Sequence, residues 1–598
     1  MCGIAGFVNL TGRLDAEKML RIVSRMTQSL SHRGPDDSGT WVDTKGRIAL
    51  GHRRLSVIDL SPAGHQPMRL PTGDALILNG EIYNFLELRK KLENKGAFFH
   101  SSSDTEVLLN GLALEEEKFI SELDAMFAFA WYNEKKRKLV LARDAFGEKP
   151  LYYIATTDHF AFASELQALT HVPGFDASID THRIASYLAL QYLPAPLTIY
   201  KTVKKLLPGH FLRLGAEGDV HIEKYFNFSA SASFSALRSL NDLADELEEI
   251  LDRTIKTRML ADVPLGAFLS GGVDSSTVVA MARKHSSRPI KTFSIGFFDS
   301  ADSEHENARA MASHLKTEHH DDILNLNTLR LGQHIATVID EPNGDTSCLP
   351  TWALSQLARQ SVTVALSGDG GDEFFGGYGR YLTTLDEEHK RGGDPSWDPA
   401  AAYYSNRILV FADQTLEKFI GPLPEDTKAL LANMRQPLRS TDKPLLQRLR
   451  KTDIENYLPG AVLSKVDRIS MQHALEVRAP LLGRQVADFA MRMASEDLCT
   501  PSFSKRVLKQ LAARYIPREW LDRPKMGFGL PVKGWGGKEL AGEVHSLLTD
   551  TKCRLSEWID KNRLLRFSQF HNETPVTYQL WAVYILELWL RTHPSRAA

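Results

Sequence analysis

The sequence predicts a mixed fold in two parts. An α+β unit built on antiparallel strands comes first, and an α/β unit built on a parallel sheet, with a helical C-terminal part, follows. Three observations predict it. Over residues 1 to about 205, short apolar runs are separated by turn-forming stretches such as HRGPDDSG and PTGD. Pro194, Pro196 and Pro208 then interrupt YLPAPLTIYKTVKKLLPGHF, and the periodicity changes. Beyond about 230, apolar runs ending in Gly, Ser and Asp alternate with helical patterns. A chain of 598 residues exceeds what one core can serve. Domains over 2–205 and 231–598 are therefore expected, joined by a linker over 206–230.

The elements follow in order. GIAGFV, RIALGH, ALILNG, MFAFAWY, KLVLAR, LYYIA and HFAFAS read as strands. NFLELRKKLENKG reads as a helix stopped by Gly96. In the second part, DLADELEEILDRTIKTRML is a long amphipathic helix. PLGAFL, KTFSIGF and SVTVALSG read as buried parallel strands, whose carboxyl edge is where such sheets hold ligands. EHHDD, Glu318 to Asp322, reads as a polar connection between a helix and a strand. After about 385 the chain reads as mostly helical.

Composition narrows the function. With 43% apolar and 24% charged residues, the chain suits a globular enzyme. A net charge of -2 gives no electrostatic argument for nucleic acid or an anionic membrane. No apolar run reaches the roughly 18–20 residues that span a bilayer. MCGIAGFVNLTGRLD lacks the basic start and cleavage site of a secretory signal. Cys2, Cys348, Cys499 and Cys553 are scattered, which favours reduced thiols in a cytoplasmic protein over disulfides or zinc.

FLSGGVDSSTVVA carries the strongest chemical signal. An apolar strand runs into Ser270, Gly271 and Gly272, then Asp274 and Ser275, then a helix. Glycines let backbone N–H groups approach an anion, and the helix N-terminus adds partial positive charge. Asp274 alone would repel phosphate; it makes sense with Mg²⁺ between them. A plain strand–turn–helix junction with a Ser or Asp cap is the alternative. A second strand, VTVALSGDGGDEFFGGYGRY, ends in Ser367, Gly368, Asp369, Gly370, Gly371, Asp372 and Glu373. On a neighbouring parallel strand, Asp372 would oppose Asp274. Alone, GDGG could be a solvated turn. The FFGGY aromatics read as packing behind that loop.

S-G-G-x-D-S-S resembles the pyrophosphatase-type loop of enzymes that cleave ATP between its α and β phosphates. With S-G-D-G-G-D-E-x-F-G-G-Y, it resembles the synthetase domain of glutamine-dependent asparagine synthetases. KVDRISMQHALEVRAPLL, SKRVLKQLAARYIP and RPKMGFGLP extend the match. The resemblance implies an adenine-nucleotide α-hydrolase-like sheet. It implies ATP contacts at Leu269, Ser270, Gly271, Gly272, Asp274, Ser275, Ile295, Ser367 and Gly368, and Mg²⁺ ligands Asp274 and Asp372. Lys505 would stabilise charge on the transferring phosphate; without the resemblance it reads as a lysine on a solvated helix face.

An adenylated carboxylate needs a nucleophile, and the first unit can supply one. If Met1 is removed, Cys2 becomes N-terminal, and its α-amine, with a pKa near 8, can serve as base for its own thiol. Asn79 and Gly80 end a strand and suit an oxyanion hole. Arg53 and Arg54 could grip an α-carboxylate, and Asp104 an α-ammonium group. Individually these read as turn, surface arginines and helix cap. Together, C-G-I-x-G, S-H-R-G-P-D, G-H-x-R-L-S, N-G-E-I-Y-N and ARDAFGEKPLYY resemble the class II glutamine amidotransferase domain. That resemblance implies an N-terminal-nucleophile (Ntn) αββα sandwich, with Cys2 as nucleophile. It implies glutamine contacts at Arg54, Leu55, Val57, Asn79, Gly80, Glu81 and Asp104.

The resemblance implies glutamine, ATP and a carboxylate acceptor, expected to be aspartate, as substrates. It also implies an ammonia tunnel between the domains and a homodimer. Three departures bear on the acceptor: Asp369 replaces a glutamate, DEPNGDTSCLPTW holds no arginine, and RAPLLG has Gly483 in place of an aspartate. A cell-wall diamino acid, a uronic-acid sugar or a natural-product precursor is the alternative acceptor.

Overall fold

Two antiparallel sheets lie face to face in the first unit of the computed structural model, which describes residues 2–228, 238–297, 305–324, 328–391, 393–523, 537–574 and 576–597. Among these residues the first sheet runs in the order Lys204–Lys205, Tyr152–Ala155, His159–Ala163, Gly3–Asn9, Ile48–Arg54, Asp37–Val42. The second runs Val220–Lys224, His210–Leu214, Lys138–Arg143, Ala125–Asn133, Asp74–Ile82, Met68–Arg69.

Side-chain alternation explains the layering. Ile4, Ile48 and Leu50 meet Ala75, Ile77, Ala128 and Ala130 between the sheets. Ala5 and Phe7 point outward, under Met19, Val23 and Met26 of the helix Ala16–Gln28. Leu76 and Leu78 point outward on the other side, under the helices Phe85–Glu93 and Asp104–Glu115. The result is the expected αββα sandwich.

Four expectations change. The strand His210–Leu214 pairs with Lys138–Arg143 and with Val220–Lys224, so most of 206–230 is sheet edge and not linker. Leu212 and Leu214 reach the core between the sheets, which fixes this hairpin to the first unit. DSGTWV, whose first three residues lie in a stretch read as turn, forms the edge strand Asp37–Val42, with Gly39 buried and Trp41 and Val42 half-buried against the core. EHHDD lies within the edge strand Glu318–Leu324, with Glu318 and Asp322 exposed, His319, His320 and Asp321 half-buried, and its backbone completing the sheet.

The parallel sheet has the order Glu318–Leu324, Lys291–Phe297, Leu265–Phe268, Val364–Leu366, Glu476–Arg478. Its last strand comes from the stretch read as helical. The order reverses between Leu265–Phe268 and Val364–Leu366, whose registers pair Leu265 with Val364 and Ala267 with Leu366. The loops leaving these two strands flank a topological switch point, where such sheets bind ligands.

Candidate active sites

Asn79 and Glu81 share the inward phase of Ala75 and Ile77, so they point from the second sheet toward the first. There Asn79 Oδ1 accepts the backbone N–H of Cys2 at 3.0 Å. Its Nδ2 is buried with no partner among the described residues. One side chain thus holds the nitrogen that becomes the α-amine of an N-terminal Cys2, and presents a spare donor. Gly80 lies inside the strand Asp74–Ile82 and not at its end as the sequence suggested; it has φ +153°, and a Cβ there would lie 2.1 Å from the Met126 carbonyl oxygen, so this position admits only glycine.

The Cys2 sulfur lies 3.9 Å from the Leu55 carbonyl oxygen. Burial pushes its thiol pKa up, which favours the neutral thiol. Arg33 Nε donates to the Cys2 carbonyl at 2.9 Å. Asp104 is the first residue of its helix; Ser103 is the cap, so the cap reading of Asp104 does not hold. Asp104 Oδ2 accepts from Ile82 N at 2.9 Å, and burial pushes this carboxyl up. Burial, then Glu476 and Asp104, push Glu81 well up. Carboxyls crowded in this way favour a cationic ligand group.

Arg53 turns out to the helix, donating to the Thr27 carbonyl at 3.3 Å. Arg54 turns in. Its guanidinium donates to the carbonyls of Ser61 (3.2 Å), Ile58 (3.3 Å) and Asp59. Here it braces the 58–61 turn. Leu55 and Val57 are buried against Tyr83 and Met126, and against Val364, Met471 and Ala474 of the second unit.

In the second unit, Leu269, Ser270, Gly271 and Gly272 lead into the helix Val273–Lys284. Gly271 has φ +79°. Ser275 Oγ folds back to Ser270, 3.1 Å from its Oγ and 3.3 Å from its N. The facing loop begins at Ser367, whose Oγ donates to Asp369 at 2.7 Å. Small residues set how closely the loops approach. A Cβ on Gly368 would lie 2.8 Å from Ser275 N, and one on Gly371 2.4 Å from Asp274 Oδ1.

Lys505 Nζ pairs with Asp274 and, at 2.6 Å, with Asp372. The lysine is buried, so the solvated-face reading is wrong. Against the cost of burial, both carboxylates hold it above the ordinary lysine value. These loops, with Ile295 and Lys505, line a cleft of ≈ 820 Å³. Phe374 and Phe375 pack behind the acidic loop. The end of RPKMGFGLP, residues 524–531, lies outside the described residues, as does Met1.

Some residues of these sites had no role in the sequence reading. Arg380 lies over the Tyr378 ring at 3.6 Å and the Tyr457 ring at 4.6 Å, tied to Asp453 at 2.6 Å. Lys465 Nζ donates to Ser347 Oγ at 2.7 Å. Arg478 of the second unit stands 3.6 Å from Glu81. KVDRISM and HALEVRAP carry two of these, but nothing in either motif says which way a side chain faces.

A cysteine at the start of a strand in an αββα sandwich, joined to a glycine-loop parallel sheet, defines a two-site amidotransferase. The comparisons agree. A family model for asparagine synthase matches residues 246–591, and one for a glutamine amidotransferase domain matches residues 1–226. The chain belongs to the asparagine synthase family. It is 31% identical to asparagine synthetase [glutamine-hydrolyzing] 1 of Bacillus subtilis, over 98% of this chain and 96% of the relative. It is 32% identical to a putative asparagine synthetase [glutamine-hydrolyzing] of Mycobacterium tuberculosis, over 98% of this chain and 97% of the relative. Amidase chry2 of Gibberella zeae is 24% identical, over 94% of this chain and 93% of the relative.

Proposed function

We propose that the chain is a glutamine-dependent asparagine synthetase. One observation carries the reading most: the Asn79 side chain holds the Cys2 nitrogen through Oδ1 and keeps Nδ2 spare. The Cys2 thiol gives its proton to its own α-amine and attacks the glutamine amide. Nδ2 of Asn79 and the N–H of Gly80 take the oxyanion, and the collapse releases ammonia and leaves a thioester. Water then frees glutamate. Arg54, Leu55 and Val57 hold the glutamine carboxylate end, and Glu81 and Asp104 its ammonium group.

In the second unit the acceptor carboxylate attacks the α-phosphorus of ATP, giving an acyl-adenylate and pyrophosphate. Ammonia displaces AMP, forming the amide. The 270–275 loop seats the phosphates, with Ile295 and Gly368 on the nucleotide. Asp274 and Asp372 would hold Mg²⁺; two carboxylates close enough to share Lys505 fit a hard cation. When bound, the ion neutralises phosphate charge, and Lys505 adds charge beside it. The apolar cluster of Leu55, Val57, Tyr83, Met126, Val364, Met471 and Ala474 is the path for neutral ammonia.

Cys2→Ala should abolish glutamine-dependent synthesis and spare ammonia-dependent synthesis; loss of both would count against separate sites. N-terminal mass spectrometry of active enzyme should show Met1 absent. A second reading is an acceptor other than aspartate. The arginine-free 340–352 segment favours it. Pyrophosphate release with aspartate, and with larger amino-carboxylates, separates the two. Among the described residues no helix is long and apolar enough to cross a membrane; a cytoplasmic enzyme is the reading. A homodimer, expected from the resemblance alone, would show as a doubled mass by light scattering.

A further inference from the structure

The helix Ser464–Met471 touches both sites. Its Lys465 lines the second cleft. Two residues on, Asp467 enters the first unit, where both its oxygens accept from Arg33 Nη2, at 3.0 and 2.8 Å. Lys149 Nζ adds a contact at 3.5 Å. Arg33 Nη1 donates to Glu165 at 2.7 Å, and its Nε donates to the carbonyl of Cys2 at 2.9 Å. Arg33, Glu165 and Asp467 are all buried.

A guanidinium is planar, so two carboxylates on its Nη atoms fix the direction of its Nε–H bond. That bond holds the carbonyl of the nucleophile residue. One carboxylate, Glu165, comes from the first unit, and the other from the second. With Glu165 alone the guanidinium could pivot, and Cys2 with it. We infer that Asp467 is a positioning residue for the glutamine reaction, supplied by the synthetase unit and acting on Cys2 through Arg33. The inference rests on the reading of Cys2 as nucleophile. Its consequence is that the ammonia-releasing site is complete only where the two units are docked, so that ammonia is made where it can be used.

The test uses the full chain with Asp467→Asn, which keeps the volume and weakens the grip on Arg33. Displacements approaching 1 Å cost on the order of 100-fold. We expect glutamine kcat to fall ~10–100-fold, with KM for glutamine and ammonia-dependent pyrophosphate release little changed. Breaking a buried pair can also unfold a protein. Arg33→Lys is therefore made alongside: it keeps a cation between Glu165 and Asp467 but loses the planar fork and the Nε–H bond to the Cys2 carbonyl. It should fold and keep ammonia-dependent activity, yet still lose glutamine turnover. Glutamine kcat unchanged in Asp467→Asn, or in Arg33→Lys, would overturn the inference. Cys2→Ala separates the two failures: if it keeps glutamine-dependent activity the nucleophile reading falls, and if it does not, only the role of Asp467 is in question.

Discussion

Asn79→Ala separates catalysis from folding in the first site. The side chain makes one hydrogen bond, from the Cys2 nitrogen to Oδ1 at 3.0 Å, and holds Nδ2 in reserve. Losing the reserved donor removes one oxyanion contact, about 2.7–4 kcal/mol of barrier lowering. Losing the acceptor frees the Cys2 amine, worth about 0.5–1.5 kcal/mol. Together these predict a fall in glutamine kcat on the order of 10²–10⁴-fold. KM should move little, because the proposed reading gives substrate recognition to Arg54, Glu81 and Asp104. The assay is glutamate release against glutamine concentration, with ammonia-dependent pyrophosphate release run in parallel on the same preparation. Ammonia-dependent release should match the parent. A folded variant whose glutamine kcat stays within about 5-fold of the parent would refute the oxyanion assignment.

In the second site, a Cβ on Gly377 would fall 1.9 Å from Lys505 Cε and 2.0 Å from Asp372 Oδ1. Gly377→Ala should therefore cut pyrophosphate release by at least about 10-fold and leave glutamine hydrolysis intact, because it displaces the charged pair that the proposed reading sets against the phosphates. Glu373 is buried, and burial followed by the Asp372 charge raises its carboxyl from 4.5 to about 7. In the folded ligand-free protein Glu373 keeps its proton through a window where the unfolded chain has lost it. Its contribution to stability is therefore largest below about pH 4.5 and declines until about pH 7, by on the order of 3 kcal/mol. Glu373→Gln should flatten the fall in Tm between pH 5 and 8; an unchanged slope would rule this group out. Ala474→Leu adds bulk to the apolar cluster between the sites. It should raise glutamate formed per amide formed above one and leave ammonia-dependent synthesis unchanged; a ratio still at one would place the ammonia path elsewhere.

Legibility in the sequence followed the kind of signal. Strands with one buried face announced themselves through alternation, as in ALILNG and MFAFAWY. The strands the sequence hid had other reasons to exist. Asp37–Val42 exposes only Ser38 and Thr40, but its inward positions Asp37, Gly39 and Trp41 show no apolar alternation, and a single ladder ties it to Ile48–Arg54. Glu476–Arg478 is three residues long and wholly buried, too short to show a period. The hairpin at 210–224 was hidden by the prolines before it, which turn the chain back and do not end the unit. Site residues on glycine loops were legible because glycine marks where backbone must come close: Gly80, Gly271 and Gly368 all meet a neighbour that a Cβ would strike. Arg33, Asp467 and Arg478 were not, since a charged residue reads as solvated until tertiary packing buries it beside its partner.

The interface between the two units is built in two zones, and their chemistry differs for a reason. Beside Cys2, Leu55 and Val57 pack on Val364, Met471 and Ala474, and Val364 opens the strand that runs into Ser367 and Gly368. Ammonium entering such a zone would lose its hydration with nothing to replace it, whereas neutral ammonia loses little. An apolar zone therefore selects the nucleophilic form. Around it stands a buried ionic zone in which Arg468 pairs with Asp340 at 2.5 Å and Lys205 with Glu341 at 2.7 Å. Buried pairs of this sort add little net stability, because desolvation offsets their attraction. What they add is geometry, since a mismatched docking would leave charges buried and unpaired. Asp340 and Glu341 lead into Asp345 and Ser347, which hold Lys465 in the second cleft. Asp467 and Arg468 follow Lys465 on one helix. On the proposed reading, the apolar zone decides what crosses, and the ionic zone fixes the two ends between which it crosses.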